Sequence, residues 1–292
     1  MMARPDNVTD AIVNIDDTRV EGHYKYFTLK PAYQPIFGID SEGSWNLTGF
    51  EGLVRPYLDG TVMDAYEFFQ TVDKKDHLFV ECMCMALHIR SYKYVKPGNK
   101  LLFINVDVSR FPSVDALETE IFYTFSQLPK NGLNRQRVVF EILETEVLEK
   151  QVMLRICEMF RNNGFRFALD DFGTKHSNIE RFLMVKPDIV KLDRAIFQNV
   201  SKASETEKLL SALIAAFRNN GSQVLMEGIE YPEELSLAID MDIDMMQGYA
   251  LAHPELLPHE FEDRMLFSKF RRKTDLKLVK NTEPKSAHAW AR

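Results

Sequence analysis

Apolar residues recur three and four positions apart in three stretches: Leu78, Cys82, Met85 and Ile89; Val152, Ile156, Met159 and Phe160; and Leu209, Leu210, Leu213, Ile214 and Phe217. That period lays one apolar stripe along an α-helix and predicts three helices packed on a common core. Two of the patterns stop near Gly164 and Gly221, where a residue without Cβ can take the left-handed conformation that ends a helix. Alternating with the helices are short β-type runs: LLFINVDV from Leu101, VVFEIL from Val138, FRFALDD from Phe165, IVKLD from Ile189, QVLMEGIE from Gln223 and MMQGYAL from Met245. Most lack strict polar alternation, as strands covered on both faces should. The alternation predicts a parallel sheet with crossover helices, either open or closed into a barrel.

The flanks differ from this central region, which spans 27–262. Residues 1–26 are polar and acidic without a clear period, and are expected to form a flexible arm. The tail, 263–292, carries Arg271, Arg272, Lys273, Lys277, Lys280 and Lys285, and is expected to be solvated. With 292 residues, 45% hydrophobic and 27% charged, the composition is ordinary for a globular protein and sufficient for one large core. The start lacks a basic segment followed by an apolar one, and no run approaches the roughly 20 apolar residues that span a bilayer. A cytoplasmic protein without a transmembrane segment is the expectation. Cys82, Cys84 and Cys157 form neither an even disulfide framework nor a CxxC pair, so Cys82 and Cys84 are expected to pack in or beside a helix. A formal charge of -7 argues against a nucleic-acid duplex as the main ligand. It leaves room for a small anion if metals supply the positive charge.

The polar residues at the strand ends change the picture most. Glu51, Asn105, Glu141, Asp170 with Asp171, Lys191, Glu227 and Gln247 recur at intervals of about one or two βα units, and in β/α barrels such residues gather at the C-terminal mouth. Several carboxylates in one cup, without an arginine cluster to balance them, would repel one another strongly. Divalent cations resolve this, and oxygen ligands of this kind suit Mg²⁺ or Mn²⁺ rather than zinc. Neighbouring strand side chains point apart, so Asp170 and Asp171 can both face a metal only if the strand bends or bulges there. Each residue has a simpler reading alone: Glu51 with Arg55 as a surface ion pair, the two aspartates as a cap before Gly173, Asn105 as a turn residue. A lysine inside IVKLD would otherwise interrupt a buried strand.

With these residues in place, the chain resembles the EAL-domain phosphodiesterases, which cleave cyclic di-GMP to its linear dinucleotide. The resemblance is carried by YQPI at Tyr33, EGL at Glu51 followed by Arg55, Asn105, the ExxE pair Glu141 and Glu144, DDFGT from Asp170, KLD at Lys191, EGIE at Glu227 and QGY at Gln247. It implies an α/β fold, a TIM-like (β/α)8 barrel made of a single EAL domain, and the activity of a cyclic-guanylate-specific phosphodiesterase. It implies two Mg²⁺ or Mn²⁺ ions, with Ca²⁺ inhibiting: Glu51, Asn105, Glu141 and Asp170 would hold one, and Asp170, Asp171 and Glu227 the second. Lys191 would orient the attacking water or assist its deprotonation, working with Glu51, Asp171 and Glu227 in the catalytic centre. Glu144 would steady the loop after Asp171, Arg55 would bind a ligand phosphate, and Gln34 and Gln247 would contact the ligand. A homodimer and a regulatory protein partner are further expectations.

The chain departs from the family pattern at three places. Gly52 stands for the usual alanine, Leu143 for a threonine inside ExxE, and Lys175 with His176 for the Gly-Tyr that commonly follows DDFGT. The last change alters a loop beside the paired aspartates. It opens the alternative of a catalytically weak barrel that acts as a cyclic di-GMP receptor or a protein-interaction module.

Overall fold

The computed structural model describes residues 4–257, except 41–42, 96–97, 112, 127–132, 143–149, 174–178 and 197–203. Its strands are β1 (Ile12–Asn14), β2 (Val20–Tyr24), β3 (Phe27–Ile39), β4 (Trp45–Leu58), β5 (Thr61–Val62), β6 (Leu101–Val106), β7 (Val138–Ile142), β8 (Arg166–Phe172), β9 (Ile189–Leu192), β10 (Gln223–Met226), β11 (Met245–Met246) and β12 (Glu255–Leu256). The helices are α1 (Val8–Ala11), α2 (Ala65–Thr71), α3 (His77–Ser91), α4 (Val114–Phe125), α5 (Lys150–Asn162), α6 (Ile179–Val185), α7 (Ser204–Asn219) and α8 (Pro232–Asp240). Eight strands close a barrel in the order β3, β4, β6, β7, β8, β9, β10, β11 and back to β3. The resolved alternation of strand and helix is thus a barrel and not an open sheet.

One strand runs against the others. β4 and β6 to β11 are mutually parallel along the barrel wall, whereas β3 pairs antiparallel with both β4 and β11. The long β3–β4 hairpin explains this, since two strands joined by a short connection must reverse direction. Pro31 and Pro35 lie inside β3, where a missing N–H would ordinarily break a ladder. On the edge away from β4, β3 is paired by β2 at Phe27–Leu29, by β12 at Ala32 and Tyr33, and by β11 at Phe37 and Gly38. Both prolines fall between those stretches, so neither interrupts pairing on that edge.

Period-two alternation places the side chains. Ile36, Phe103, Val139, Ala168, Ile189, Leu225 and Met245 form a buried cluster that fills the barrel. Two residues along each strand from these lie Gln34, Asn105, Glu141, Asp170, Lys191, Glu227 and Gln247, on the same face and one layer nearer the mouth. A second, larger core packs the outer barrel face against the helices, including Ile156, Phe160, Leu210, Ile214 and Phe217. Gly164 and Gly221 end α5 and α7 with φ of 76° and 88°, and the Phe165 and Ser222 amides return to the Phe160 and Phe217 carbonyls at 3.0 and 3.1 Å. Leu209 breaks from its predicted stripe: it is 71% exposed, because adjacent positions 209 and 210 are separated by about 100° around a helix and only Leu210 faces the barrel.

α3 is buried nearly all round, with Cys82 and Cys84 among its enclosed residues. Its outer face is covered by the segment preceding Phe27: Ala11, Ile12, Val20 and Tyr24 pack with Val80, Met83 and Leu87. Asp76, just before α3, ties this segment down by accepting from Arg4 Nε at 2.8 Å and Tyr24 Oη at 3.0 Å. The buried positions of 4–24 are spread over three short elements, so no single period marks them in the sequence. The basic tail, 263–292, lies outside the described residues. Among the described residues no helix is long and apolar enough to cross a membrane.

Candidate functional site

Lys191 is the centre of the polar layer at the barrel mouth. It is 2% exposed, and its ammonium lies 2.8 Å from Glu141 Oε1, 2.8 Å from Asp170 Oδ1 and 3.0 Å from Glu227 Oε2. These four residues come from β9, β7, β8 and the turn after β10, so convergence follows from barrel closure alone. Across the mouth, Glu51 on β4 accepts from Asn105 Nδ2 at 2.8 Å and from Gln247 Nε2 at 2.7 Å. Gln247 also donates to Gln34 Oε1 at 3.2 Å, and Gln34 donates to the Ala252 carbonyl at 3.2 Å. Cross-strand register puts Gln34 opposite Glu51 and Asn105 beside Glu141. Eight of the sequence-derived positions, from Gln34 to Gln247, therefore share one cup.

Asp171 joins them through a backbone irregularity. The β8–β9 register shifts between Leu169 and Phe172, and Asp171 adopts φ of 51°, a left-handed conformation that costs a non-glycine residue of order 1 kcal/mol. The shift lets adjacent aspartates turn to the same side, as the sequence required. Carboxylate oxygens of Asp170, Asp171 and Glu227 lie within 4.8 Å of one another. Arg55 stands two pleats beyond Glu51 on the same face of β4, with Nη1 donating to the Val54 carbonyl at 3.0 Å. Among the described residues Arg55 is in no ion pair, so the surface pair with Glu51 does not form. Glu144, Leu143, Lys175 and His176 lie outside the described residues.

The electrostatics are those of a site short of positive charge. Burial pushes the Glu141 carboxyl well above the usual range, against the pull of the Lys191 charge. Burial likewise pushes Glu227 up to about 8, again opposed by Lys191. Asp171 is raised by desolvation and by Asp170. Glu51 goes the other way: burial would raise it, but Lys191 and the donors Gln247 and Asn105 outweigh that and hold it below the ordinary value. Burial would lower Lys191, but Asp170, Glu141, Glu227 and Glu51 together hold it well above its usual value. Among the described residues one ammonium faces this set, too little charge to neutralise it.

The donor set fits divalent cations. Glu141 Oε2 and Glu227 Oε1 are buried without a hydrogen-bond partner among the described residues, which is costly unless something positive meets them. A cation about 2.0–2.6 Å from each ligand oxygen spans a gap of the size seen among Asp170, Asp171 and Glu227. All donors are oxygens, and protons held on Glu141 and Glu227 would leave as a metal enters.

A cavity of about 280 Å³ opens onto the cup, lined by Gln34, Glu51, Glu227, Gly228, Glu230 and Gln247, with Gly248 and Tyr249 at its rim. Sequence reasoning missed Tyr249, which is 53% exposed and stacks on His253 with centroids 4.5 Å apart. Its place in QGY was the available signal. It also missed His88 on α3, which packs behind Gly52. A lone histidine on an apolar helix carries no mark that would distinguish it from core.

Residues 25–254 match the family model described as EAL domain. The chain is 28% identical over 267 residues to the cyclic di-GMP phosphodiesterase RocR of Pseudomonas aeruginosa, covering 85% of this chain and 60% of that protein. It is 26% identical over 234 residues to the probable cyclic di-GMP phosphodiesterase PdeN of Escherichia coli, covering 76% of this chain and 43% of that protein. It thus spans less than two thirds of either relative. Among solved structures, the Bacillus subtilis YkuI protein, with an EAL domain and in complex with cyclic di-GMP and calcium, superposes with a TM-score of 0.69 at 24% identity, covering 86% of this chain and 60% of that one. At that identity the likeness speaks for the fold.

Proposed function

Because this chain belongs to the EAL-domain family, we propose that it is a metal-dependent phosphodiesterase that opens cyclic di-GMP to linear pGpG. The observation that carries the reading is the gathering of Glu51, Glu141, Asp170 and Glu227 in one cup, with buried carboxylate oxygens left without donors. In this reading Glu51, Asn105, Glu141 and Asp170 would hold one Mg²⁺ or Mn²⁺, and Asp170, Asp171 and Glu227 would hold a second. Bound there, such ions ease deprotonation of water and stabilise charge developing at phosphorus.

The chain's own groups do the rest. Lys191 Nζ, already within 3.0 Å of three carboxylates, orients the attacking water by donating to it. Attack at phosphorus breaks one phosphorus–oxygen bond, and the ribose oxygen that leaves takes up a proton. Arg55 presents a fork that matches two phosphate oxygens and, among the described residues, is in no ion pair. Gln34 and Gln247 line the cavity and offer amide groups to the nucleotide, and the exposed Tyr249 ring gives a base a face to stack on. A cytoplasmic homodimer with a regulatory partner belongs to the same proposal. Ile179 and Leu183, 58% and 54% exposed on α6, support an apolar contact between copies.

The test is direct incubation of purified protein with cyclic di-GMP and Mg²⁺, Mn²⁺ or Ca²⁺, followed by chromatography. Linear pGpG is expected with Mg²⁺ or Mn²⁺ and not with Ca²⁺, whose looser coordination suits binding better than turnover. The Glu51→Ala variant is expected to give none. No product from the wild-type protein with any of these metals, despite nucleotide binding, would replace the enzyme with a receptor.

A further inference from the structure

We propose that His88 is a positioning residue for Glu51, acting through Gly52, which stands where the family motif usually has alanine. The inference rests on the metal-site reading above. A Cβ added at Gly52 would lie 2.8 Å from both Cγ and Nδ1 of His88 and 3.2 Å from Cδ2. Carbon atoms do not approach that closely, so the ring occupies the space a methyl at residue 52 would need. The contact is at the root of the imidazole, where the side chain has no loose end to swing away.

The ring is fixed from the other side as well. His88 is 3% exposed, and Tyr33 meets it edge-on with centroids 5.8 Å apart at 75°. Tyr33 Oη donates to the His88 carbonyl at 2.9 Å, so ring and backbone of His88 are clamped by the same residue. Among the described residues His88 Nδ1 is buried without a hydrogen-bond partner. Packing, and not a polar pairing at that nitrogen, accounts for the ring's placement. A satisfied core histidine would look different.

Strand geometry carries the effect to the site. Tyr33 and Gly52 are directly opposite one another on β3 and β4, and both face α3. The next pair along, Gln34 and Glu51, faces the barrel interior, because alternate residues point to opposite sides of the wall. His88 therefore wedges the outer face of the hairpin at the point where its inner face presents Glu51. Glu51 is already held by Asn105 and Gln247, so a shift of β4 by a few tenths of an ångström moves the carboxylate relative to partners on β6 and just past β11. Sites of this kind tolerate displacements of only about 0.5 Å. Gly52 and His88 are a matched pair: the glycine makes room for the ring, and the ring sets the strand.

The test is a double-mutant cycle on the full chain, reading Mn²⁺ affinity by calorimetry and melting temperature in parallel. Gly52→Ala and His88→Ala are each expected to weaken Mn²⁺ binding by about 10-fold, the range for groups that hold a ligand without touching the metal. The double variant, in which the new methyl fills the vacated space, is expected to return to within about threefold of wild type, a coupling between touching residues that additivity forbids. Singles that lower the melting temperature but leave Mn²⁺ affinity unchanged would reduce His88 to a packing residue and overturn the proposal. So would a double variant whose loss is the product of the two singles. Should Gly52→Ala be too unstable to assay, a double variant that folds and binds Mn²⁺ near wild-type affinity supports the pairing, and one equally unfolded overturns it. A wild-type protein that binds no Mn²⁺ contradicts the metal-site reading itself, an outcome separate from unchanged affinities in the variants.

Discussion

Lys191→Met is expected to lower the unfolding free energy of the metal-free protein by about 3–5 kcal/mol at pH 8, the range for removing one partner of a buried ion pair. The residue is nearly isosteric in length, so little packing is lost. What is lost is the one ammonium within 3.0 Å of Glu141, Asp170 and Glu227. The effect is expected to shrink at pH 5.5, and the sign follows from proton binding. Burial raises Glu227 to about 8 and Glu141 well above its usual value, so both bind protons more readily folded than unfolded. Stability tied to those protons is present at low pH and falls as pH rises towards 8. Without Lys191 the fall is steeper, because no other described residue pairs with Glu141, Asp170 or Glu227. Urea unfolding at the two pH values measures this directly. A Lys191→Met protein as stable as wild type at pH 8 would mean that the carboxylates are balanced by some other group. Saturating Mn²⁺ is expected to restore stability to the variant without restoring turnover, since the metal replaces the missing charge and not the donor to water.

Asp170→Ala is expected to abolish pGpG formation, by at least about 1000-fold. Asp170 is the residue assigned to both cations, so its loss removes a ligand from each at once. A factor of that size corresponds to about 4 kcal/mol of transition-state stabilisation, within what a pair of divalent ions supplies. The same variant is expected to keep its fold, because the deleted carboxylate relieves repulsion in a crowded acidic cup. Initial rates with Mn²⁺ across a metal titration check the prediction. A rate within tenfold of wild type would remove Asp170 from the centre of the site and from the set proposed to hold the cations.

Much of this was legible in the sequence, and the reason is period two. On β6 to β9 the residue two positions before each polar strand end is apolar and buried: Phe103 before Asn105, Val139 before Glu141, Ala168 before Asp170 and Ile189 before Lys191. The barrel plug and the polar layer above it are written in the same strands. The bulge at Asp171 could be anticipated because two adjacent aspartates cannot otherwise share a site. Other features left no periodic trace. β3 contains two prolines, which read as breaks in a strand until the gaps between its partners are known. The reversal of β3 depends on a hairpin closing a barrel, a property of the whole sheet. Residues 4–24 bury single positions in short elements, so their polarity resembles that of a free arm. The fit of His88 against Gly52 joins a helix and a strand 36 positions apart by shape, and shape has no signature in a linear pattern.

Divalent cations are expected among the converged carboxylates, and anomalous diffraction from crystals grown with cyclic di-GMP and Mn²⁺ would locate them. Two anomalous peaks are expected in the cup, with oxygens of Glu51, Glu141, Asp170 and Glu227 at about 2.0–2.6 Å from one or both. Density for Mn²⁺ elsewhere on the barrel, with those four carboxylates bound only to Lys191 and to one another, would contradict that expectation.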